Sequence, residues 1–493
     1  MNQRILLAAV LAAPVIAGCA SLPADNGRDR VMTLVRERGL DVSQSGAAGA
    51  APALLAELNG KPLGANDVVR LALINNPKLK AEYARLGFAA ADVYDAGRLS
   101  NPVFSAAVLY PDVSGAVSQV TLGLVQSFTD VLLLRSRGKF ARGEFERVQQ
   151  SVGAATVNLA ADAEAAYFRL VGALQLRALR VAIVTAAQAS ADLAQRFFDA
   201  GNVSRLELAL EQAAVAQARL EAMGADAEVT GARTALNHLM GFAADEQDWQ
   251  VTAELPAAPE APSSDAALPD LLARAKTSRL DLAAARARSD LTAKAFGVTQ
   301  RTRLLGELDV GVETERGTDG SRITGPTLAL ALPIFNAGKG RAARAEAQWR
   351  NAESELQALE IEISNAVRRA HADVGAARGR AEHYRQTLIP LREAIVARTQ
   401  EDVNYMLRGQ FELLVAKQQE YAAYHGYIEA VRDYWLARVQ LAREVGGPLP
   451  ASGAVVSAPL ALPLPGVPDG GVPIPATNDP APPPGGHEHG DKP

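Results

Sequence analysis

The chain has 493 residues, 48% hydrophobic but only 5% aromatic, with 50 Lys and Arg against 55 Asp and Glu for a net charge of −5. The absence of a basic block, and the few rings available to stack bases, argue against a nucleic-acid binder; a single cysteine excludes an intrachain disulfide. Segments rich in Ala, Leu, Arg and Glu favour long helices in close contact.

Residues 1–18 read as a secretory signal: Met1 to Arg4 is positively charged and Ile5 to Ile16 almost wholly apolar. Ala17-Gly18 precede the lone Cys19, and the run I-A-G-C resembles a bacterial lipobox, in which the signal is cut before a cysteine that is then acylated. Ala20 and Ser21, rather than Asp, follow it, which in such lipoproteins implies the outer membrane. The alternative is an ordinary signal with an incidental cysteine. Beyond it there is no run of eighteen apolar residues, so no transmembrane helix is expected. Any membrane span then has to be made of strands that close into a barrel.

Residues 19–64 form a mixed, anchored N-terminal segment. A first unit covers 65–245. It begins with an amphipathic helix from Asn66 to Arg98, capped at Asn66-Asp67 and kinked at Asn76-Pro77. Two strands follow, at about 102–110 and 117–128, and then a proline-free helical run from Leu132 to Asp199. Ala200-Gly201-Asn202 breaks it, and a helix runs from Val203 to Met240. Residues 246–266 are a Pro/Ala/Ser-rich linker.

The second unit, 267–446, repeats the order. A helix from Ala267 to Thr302 leads to a strand at about 307–315, where Leu308, Val310 and Val312 alternate with Glu307, Asp309, Gly311, Glu313 and Glu315. Thr318-Asp319-Gly320 turns the chain into a strand at about 323–335. The helical run from Gly338 to Leu407 is bent at Pro390; Arg408-Gly409-Gln410 breaks it before a helix from Phe411 to Val445. Residues 447–493 are a Pro/Gly-rich tail that reads as disordered. His487 and His489 flank Glu488 there and make a weak candidate site for Cu or Zn, set against a plain polar end.

Each unit is therefore helix, hairpin, very long helix, turn, helix. The glycines align Gly201-Asn202-Val203 with Gly409-Gln410-Phe411, and Leu206 with Leu414. Four strands cannot close a membrane barrel, since single-chain barrels start at about eight strands; three chains supply twelve. The fold class is thus mainly α with a transmembrane β part, a duplicated unit whose strands close as a trimeric 12-stranded β-barrel. Glu307, Asp309, Glu313 and Glu315 would make its lumen acidic, unless they line a solvated edge strand. A non-channel coiled-coil lipoprotein that spaces the envelope is the competing reading. No P-loop, dinucleotide fingerprint, HExxH or G-x-S-x-G occurs, so neither an enzyme nor a cofactor is expected.

The second strand-to-helix joint reads LPIFNAGKGRA, Leu332 to Ala342. With the duplicated unit and the lipobox it resembles the TolC family of outer-membrane efflux proteins, in its acylated, OprM-like and metal-efflux branch. The resemblance covers about Leu58 to Gly446. It implies a homotrimer in the outer membrane of a Gram-negative bacterium, whose 12-stranded β-barrel continues into a long α-helical barrel in the periplasm. It further implies partnership with a periplasmic adaptor and an inner-membrane pump, and a passive duct for exported solutes, heavy-metal cations among them. The adaptor-binding or gating tips it implies are Gly201, Asn202, Val203, Ser204 and Glu207, and Arg408, Gly409, Gln410, Phe411 and Glu412. The family's paired gate aspartates fall on Val415 and Gln418, so only Glu412 is left to substitute for them. The joint is expected to depend on Leu332, Pro333, Phe335, Gly338 and Gly340, with β-branched substitutions at either glycine impairing assembly.

Overall fold

A computed structural model describes residues 25–40, 50–58, 60–112, 115, 117–243, 249–259 and 267–449. Cys19, His487 and His489 lie outside the described residues. In chain order the elements are α1 (Arg28–Arg36), α2 (Ala50–Leu58), α3 (Ala65–Asn75), α4 (Pro77–Ala96), β1 (Val103–Leu109), β2 (Gln119–Ser127), α5 (Phe128–Asp199) and α6 (Arg205–Met240). The second half contributes α7 (Leu268–Ser278), α8 (Leu280–Arg301), β3 (Leu308–Arg316), β4 (Arg322–Leu330), α9 (Lys339–His383), a π-turn (Tyr384–Leu388), α10 (Ile389–Asn404) and α11 (Gln410–Val445). Residues 179–222, the hairpin around the α5–α6 turn, form one compact unit and the remaining described residues another.

The strands form one antiparallel sheet in the order β1-β2-β3-β4. All four helix attachments leave from one end of it, and the two hairpin turns lie at the other. At 72 residues α5 is about 110 Å long. One stretch of it has a mean hydropathy of 1.5, long and apolar enough by composition to cross a membrane. This differs from the sequence expectation. Part of that apolarity is buried within the chain: Ala163, Ala166, Leu170, Val171 and Leu176 all pack inside the protein.

Two helices expected as single elements, the first with a kink at Asn76-Pro77, are each divided in two in the same way. The first ends at Asn75 and restarts at Pro77, with the Asn76 carbonyl oxygen of the side chain accepting the backbone N–H groups of Lys78 (2.9 Å) and Leu79 (3.1 Å). The extended backbone before Pro77 follows from the clash of the proline ring with its neighbour. The second breaks at Arg279, without a proline. Its guanidinium bonds Glu444 (2.6 Å) and Asp281 (2.6 Å), and this holds the extended residue in place. Each break receives the end of a later helix. Asn75 and Asn76 donate to the carbonyls of Met240, Gly241 and Leu239 at the end of α6, while Arg279 reaches the Glu444 carbonyl at the end of α11. The two helix ends stop at Gly241 and Gly446, both left-handed and 205 residues apart. One unit has been built twice, down to its junctions.

Burial works against the Arg279 charge, and Asp281 and Glu444 more than offset it, so its pKa is raised; burial likewise opposes the Asp281 carboxylate, and Arg279 holds it below the usual carboxylate range. Arg279→Leu is expected to destabilise the second unit by about 2 kcal/mol, less than the roughly 3–5 kcal/mol of a fully buried pair because the cluster is partly solvated. Because the native Asp281 pKa is depressed, its share of stability is present above the unfolded carboxylate range and lost on acidification through the native value. Urea unfolding at neutral and acidic pH, wild type against variant, reads both effects.

The long helical run of the second unit is also interrupted. Pro390 has no N–H to give, and the preceding residues widen into the π-turn, with the Ile389 N–H on the Tyr384 carbonyl. Along α9, Ala352, Ile363 and Ala370 are buried and Leu356, Leu359 and Ala366 half-buried, a coiled-coil seam that packs with α7, α8 and α11 around Val367 and Tyr434. Described residues between the two repeats are packed as well. Trp249 is buried and donates its indole N–H to Asn237 (2.9 Å), and Leu63 bridges Val251.

Candidate functional site: a two-faced sheet, its joint and the helix turns

Cross-strand partners share a face, so the register sorts the sheet. One face carries Phe104, Ala106 and Val108, then Val120, Leu122 and Leu124, then Leu308, Val310 and Val312, then Pro326, Leu328 and Leu330. Most of these side chains are exposed. The other face carries Ser105, Gln119, Thr121, Gly123, Ser127, Asp309, Gly311, Glu313, Glu315, Gly325 and Thr327, together with the apolar Val103, Ala107, Leu109, Val125, Ile323 and Ala329. One exposed face is apolar over most of its length, and the other, the polar face, carries every acid of the strands; that contrast at period two is what a wall between lipid and water requires. On the polar face a Cβ on Gly311 would press on the Leu124 carbonyl at 2.6 Å and the Thr327 hydroxyl at 2.7 Å, so this position admits only glycine without a shift of its neighbours.

Of the four acids expected in a lumen, Asp309, Glu313 and Glu315 lie on the polar face of β3. Glu307 stands one residue before the strand, where its carbonyl accepts the Ala331 N–H (2.9 Å). The Glu315 carboxylate accepts the side-chain amide of Gln119.

The fourth strand ends at Leu330, not at Phe335 as the alternation suggests. Leu332, Ile334 and Phe335 keep an apolar spacing without pairing, and Phe335 is 99% exposed. Pro333 has no N–H for a ladder. The chain then turns through Ala337 and Gly338, both left-handed, with the Asn336 side chain accepting the Gly338 N–H (3.0 Å). A Cβ on Gly338 would fall inside the Arg303 carbonyl oxygen. Arg341 ties the start of α9 to the same carbonyl (2.9 Å) and to that of Leu305. Gly340 has open space around it and an ordinary backbone, so its expected role in the joint is not supported. The first unit has no such turn: β2 runs straight into α5 at Phe128. The Thr129 hydroxyl accepts the Leu308 N–H (2.8 Å) and donates to the Gly306 carbonyl, which knits this joint to the foot of β3.

Each long helix ends at its turn in a Schellman motif. After α5 the Asn202 N–H reaches the Phe197 carbonyl (2.8 Å), with Gly201 left-handed; after α10 the Leu407 N–H reaches the Asp402 carbonyl (2.8 Å), with Met406 left-handed. Gly201 therefore corresponds to Met406, 205 residues on, and Ser204 to Gly409. The glycine-based alignment of Gly201 with Gly409 is three residues out of register, because the left-handed position of the second turn is held by a methionine.

Corresponding acids do different work. In the first turn, beyond Val203, Ser204 and Glu207 form a capping box, with Ser204 N–H to the Glu207 carboxylate (2.6 Å) and Glu207 N–H to the Ser204 hydroxyl (3.2 Å). The Ser204 N–H and hydroxyl hold the Glu207 carboxyl below its usual range. In the second turn Gly409 offers no side chain, Gln410 and Phe411 begin α11, and Glu412 instead joins Asp402 around Arg408, each at 2.9 Å. Tyr405, Met406 and Leu407 stand exposed there. Above this turn Lys417 pairs with the buried Glu420 (2.7 Å), and the buried Tyr424 hydroxyl donates to Glu393; burial, then that carboxylate, push the Tyr424 pKa up. The alternation of sequence gave no sign of Arg408 as a clamp or of Arg303 and Gly306 at the joint.

Ser204→Ala is expected to speed hydrogen exchange over the first turn of α6 while leaving global unfolding nearly unchanged. Since the Glu207 pKa is depressed, the cap persists on acidification until the pH falls through that lowered value. Exchange mass spectrometry across a pH series checks this.

Comparison with known proteins agrees with these features. Residues 68–242 and 271–447 match the family described as outer membrane efflux protein, one match per unit. The cobalt-zinc-cadmium resistance protein CzcC of Cupriavidus metallidurans is 30% identical over 203 residues, 41% of this chain and 46% of that protein. The chain thus matches about half the length of this curated relative. Among solved structures, the outer-membrane channel OprN has a TM-score of 0.66 at 20% identity, covering 88% of this chain and 98% of that one. The Campylobacter jejuni CmeC outer membrane channel has a TM-score of 0.65 at 18% identity, covering 80% and 88%.

Proposed function

This chain belongs to the outer membrane efflux protein family, and we propose that three copies form the outer-membrane duct of an export system driven by an inner-membrane pump through a periplasmic adaptor. The observation that carries the reading is the two-faced sheet. Among the described residues nothing pairs with its β1 and β4 edges, and one exposed face is apolar over most of its length. A free edge invites another chain, and backbone groups in lipid must all be bonded. Four strands per chain and closure by twelve meet both demands. A soluble spacer has no use for an apolar sheet face next to an exposed Leu332-Ile334-Phe335 turn.

The duct performs no chemistry. The polar face would line a water-filled passage, with Asp309, Glu313 and Glu315 from each copy and Glu307 at its mouth. Such a wall favours cations over anions by its field alone. The helix turns at Gly201–Glu207 and Arg408–Glu412 are the surfaces offered to the adaptor, and Cys19 is the site of the lipid anchor. Heavy-metal cations are the proposed cargo, supported by the similarity to a cobalt-zinc-cadmium resistance protein. The tail histidines His487 and His489 would be a transient metal site at most.

The test is a deletion strain. Sensitivity to cobalt, zinc or cadmium, restored by the wild-type gene, is the expected result; sensitivity to dyes with unchanged metal tolerance overturns the cargo. In planar bilayers, changing Asp309, Glu313 and Glu315 to their amides is expected to reduce cation preference measurably without loss of the pore. An unchanged reversal potential would remove these acids from the lumen.

A further inference from the structure

Resting on the duct reading, we propose that Arg316 and Arg322 form a clamp for the phosphate groups of lipid headgroups at the outer rim of the barrel. The two residues are direct cross-strand partners at the hairpin end of β3 and β4, the end farthest from the helices. They stand on the apolar face, in line with Leu308, Val310 and Val312 on one strand and Leu330, Leu328 and Pro326 on the other. Both are exposed. Like charges placed directly opposite one another work against strand pairing, so the arrangement asks for an anion from outside.

The nearby acids do not provide it. Glu315 projects to the opposite face and is engaged by Gln119, while Asp319 turns back on the hairpin to accept the Ser321 N–H (2.9 Å). The other cross-strand partner of Arg316 is Val120, which is apolar.

The spacing of groups along this face matches the layers of a bilayer. From Leu308 to Arg316 is about 26 Å at roughly 3.3 Å per residue, and the apolar band of a membrane barrel is about 25 Å tall. Between the aliphatic positions and the arginines sits one hydroxyl pair, Thr314 and Thr324, bonded at 3.0 Å. The order is therefore hydrocarbon, hydroxyl, guanidinium. An arginine stem can lie along the apolar surface while its head reaches the interface, and the planar fork matches a phosphate with two parallel hydrogen bonds. At the helix end of the same face, the strands present Phe104, Gln126, Leu308 and Leu330, with no basic residue. The clamp thus belongs to one leaflet.

The experiment uses the full chain reconstituted in vesicles of phosphate-free digalactosyl diacylglycerol containing a minor fraction of phosphorylated glycolipid or its dephosphorylated form. The readout is the lipid retained per trimer after extraction, measured by native mass spectrometry. Wild type is expected to retain the phosphorylated form preferentially. Arg316→Gln with Arg322→Gln is expected to lower that retention about tenfold while still migrating as a heat-modifiable trimer, and the double Lys variant is expected to retain an intermediate amount. Equal retention of the dephosphorylated lipid, undiminished retention by the folded double Gln variant, or displacement of the lipid by inorganic phosphate alone overturns the clamp. A wild-type chain that yields no heat-modifiable trimer would instead overturn the duct reading on which the clamp rests.

Discussion

Gly338→Val is expected to abolish recovery of the assembled trimer, whereas Gly340→Val should leave most of it intact. The two glycines are two residues apart in the same motif, and only the structure separates them. Gly338 has a left-handed backbone (φ 66°), and a side chain there would occupy the position of the Arg303 carbonyl. A β-branched residue in that region costs about 1–3 kcal/mol in backbone strain alone, and the overlap is with backbone, which cannot swing aside. The damage falls on the joint where β4 hands over to α9, so Arg341 would lose its grip on Arg303 and Leu305 as well. Gly340 sits in the first turn of α9 with nothing near it, and valine there is no worse a helix former than the glycine it replaces. Heat-modifiable trimer recovered from membranes, compared across the two variants, reads the difference. Equal loss in both would mean that the motif acts through flexibility, not through this turn.

Val312→Arg should destabilise the inserted protein by about 2–4 kcal/mol, the cost of a basic residue at the lipid midplane of a barrel. Val312 is the middle residue of β3 on the apolar face. Thr327→Arg, on β4 and the polar face, is the matched control: its guanidinium would reach water and the carboxylates of β3, so its cost should be small. Unfolding midpoints of the two variants in lipid vesicles decide the question. A reversed order would turn the sheet inside out, with the acids towards lipid, and the account would fail there.

The sheet was legible in sequence because Leu308, Val310 and Val312 alternate with Asp309, Gly311 and Glu313 along β3, and the helices because their runs are long. The errors were local and physical. The alternation of Leu328, Leu330, Leu332 and Ile334 carries on past the end of pairing, since an exposed turn in an apolar setting selects the same side chains as a strand. The break at Arg279 has no proline or glycine to announce it; its cause is the contact with Glu444, 165 residues away. The turn alignment slipped by three residues because Met406 takes a left-handed conformation that sequence reasoning reserves for glycine, asparagine or aspartate. The clamp at Arg408 and the Arg316–Arg322 pair needed the register, which no single strand reveals.

The central claim is that the free edges β1 and β4 close on neighbouring copies of the chain. It is tested most directly by pairing a cysteine at Ala106 on β1 with a cysteine at each of Thr324, Leu328 and Leu330 in turn on β4, all on the same face of the sheet. In membranes under mild oxidation, at least one pairing is expected to convert the chain into covalently closed trimers that survive boiling in detergent and fall apart on reduction. If every pairing in folded protein stays monomeric, or closes only within its own chain, the twelve-stranded duct is contradicted.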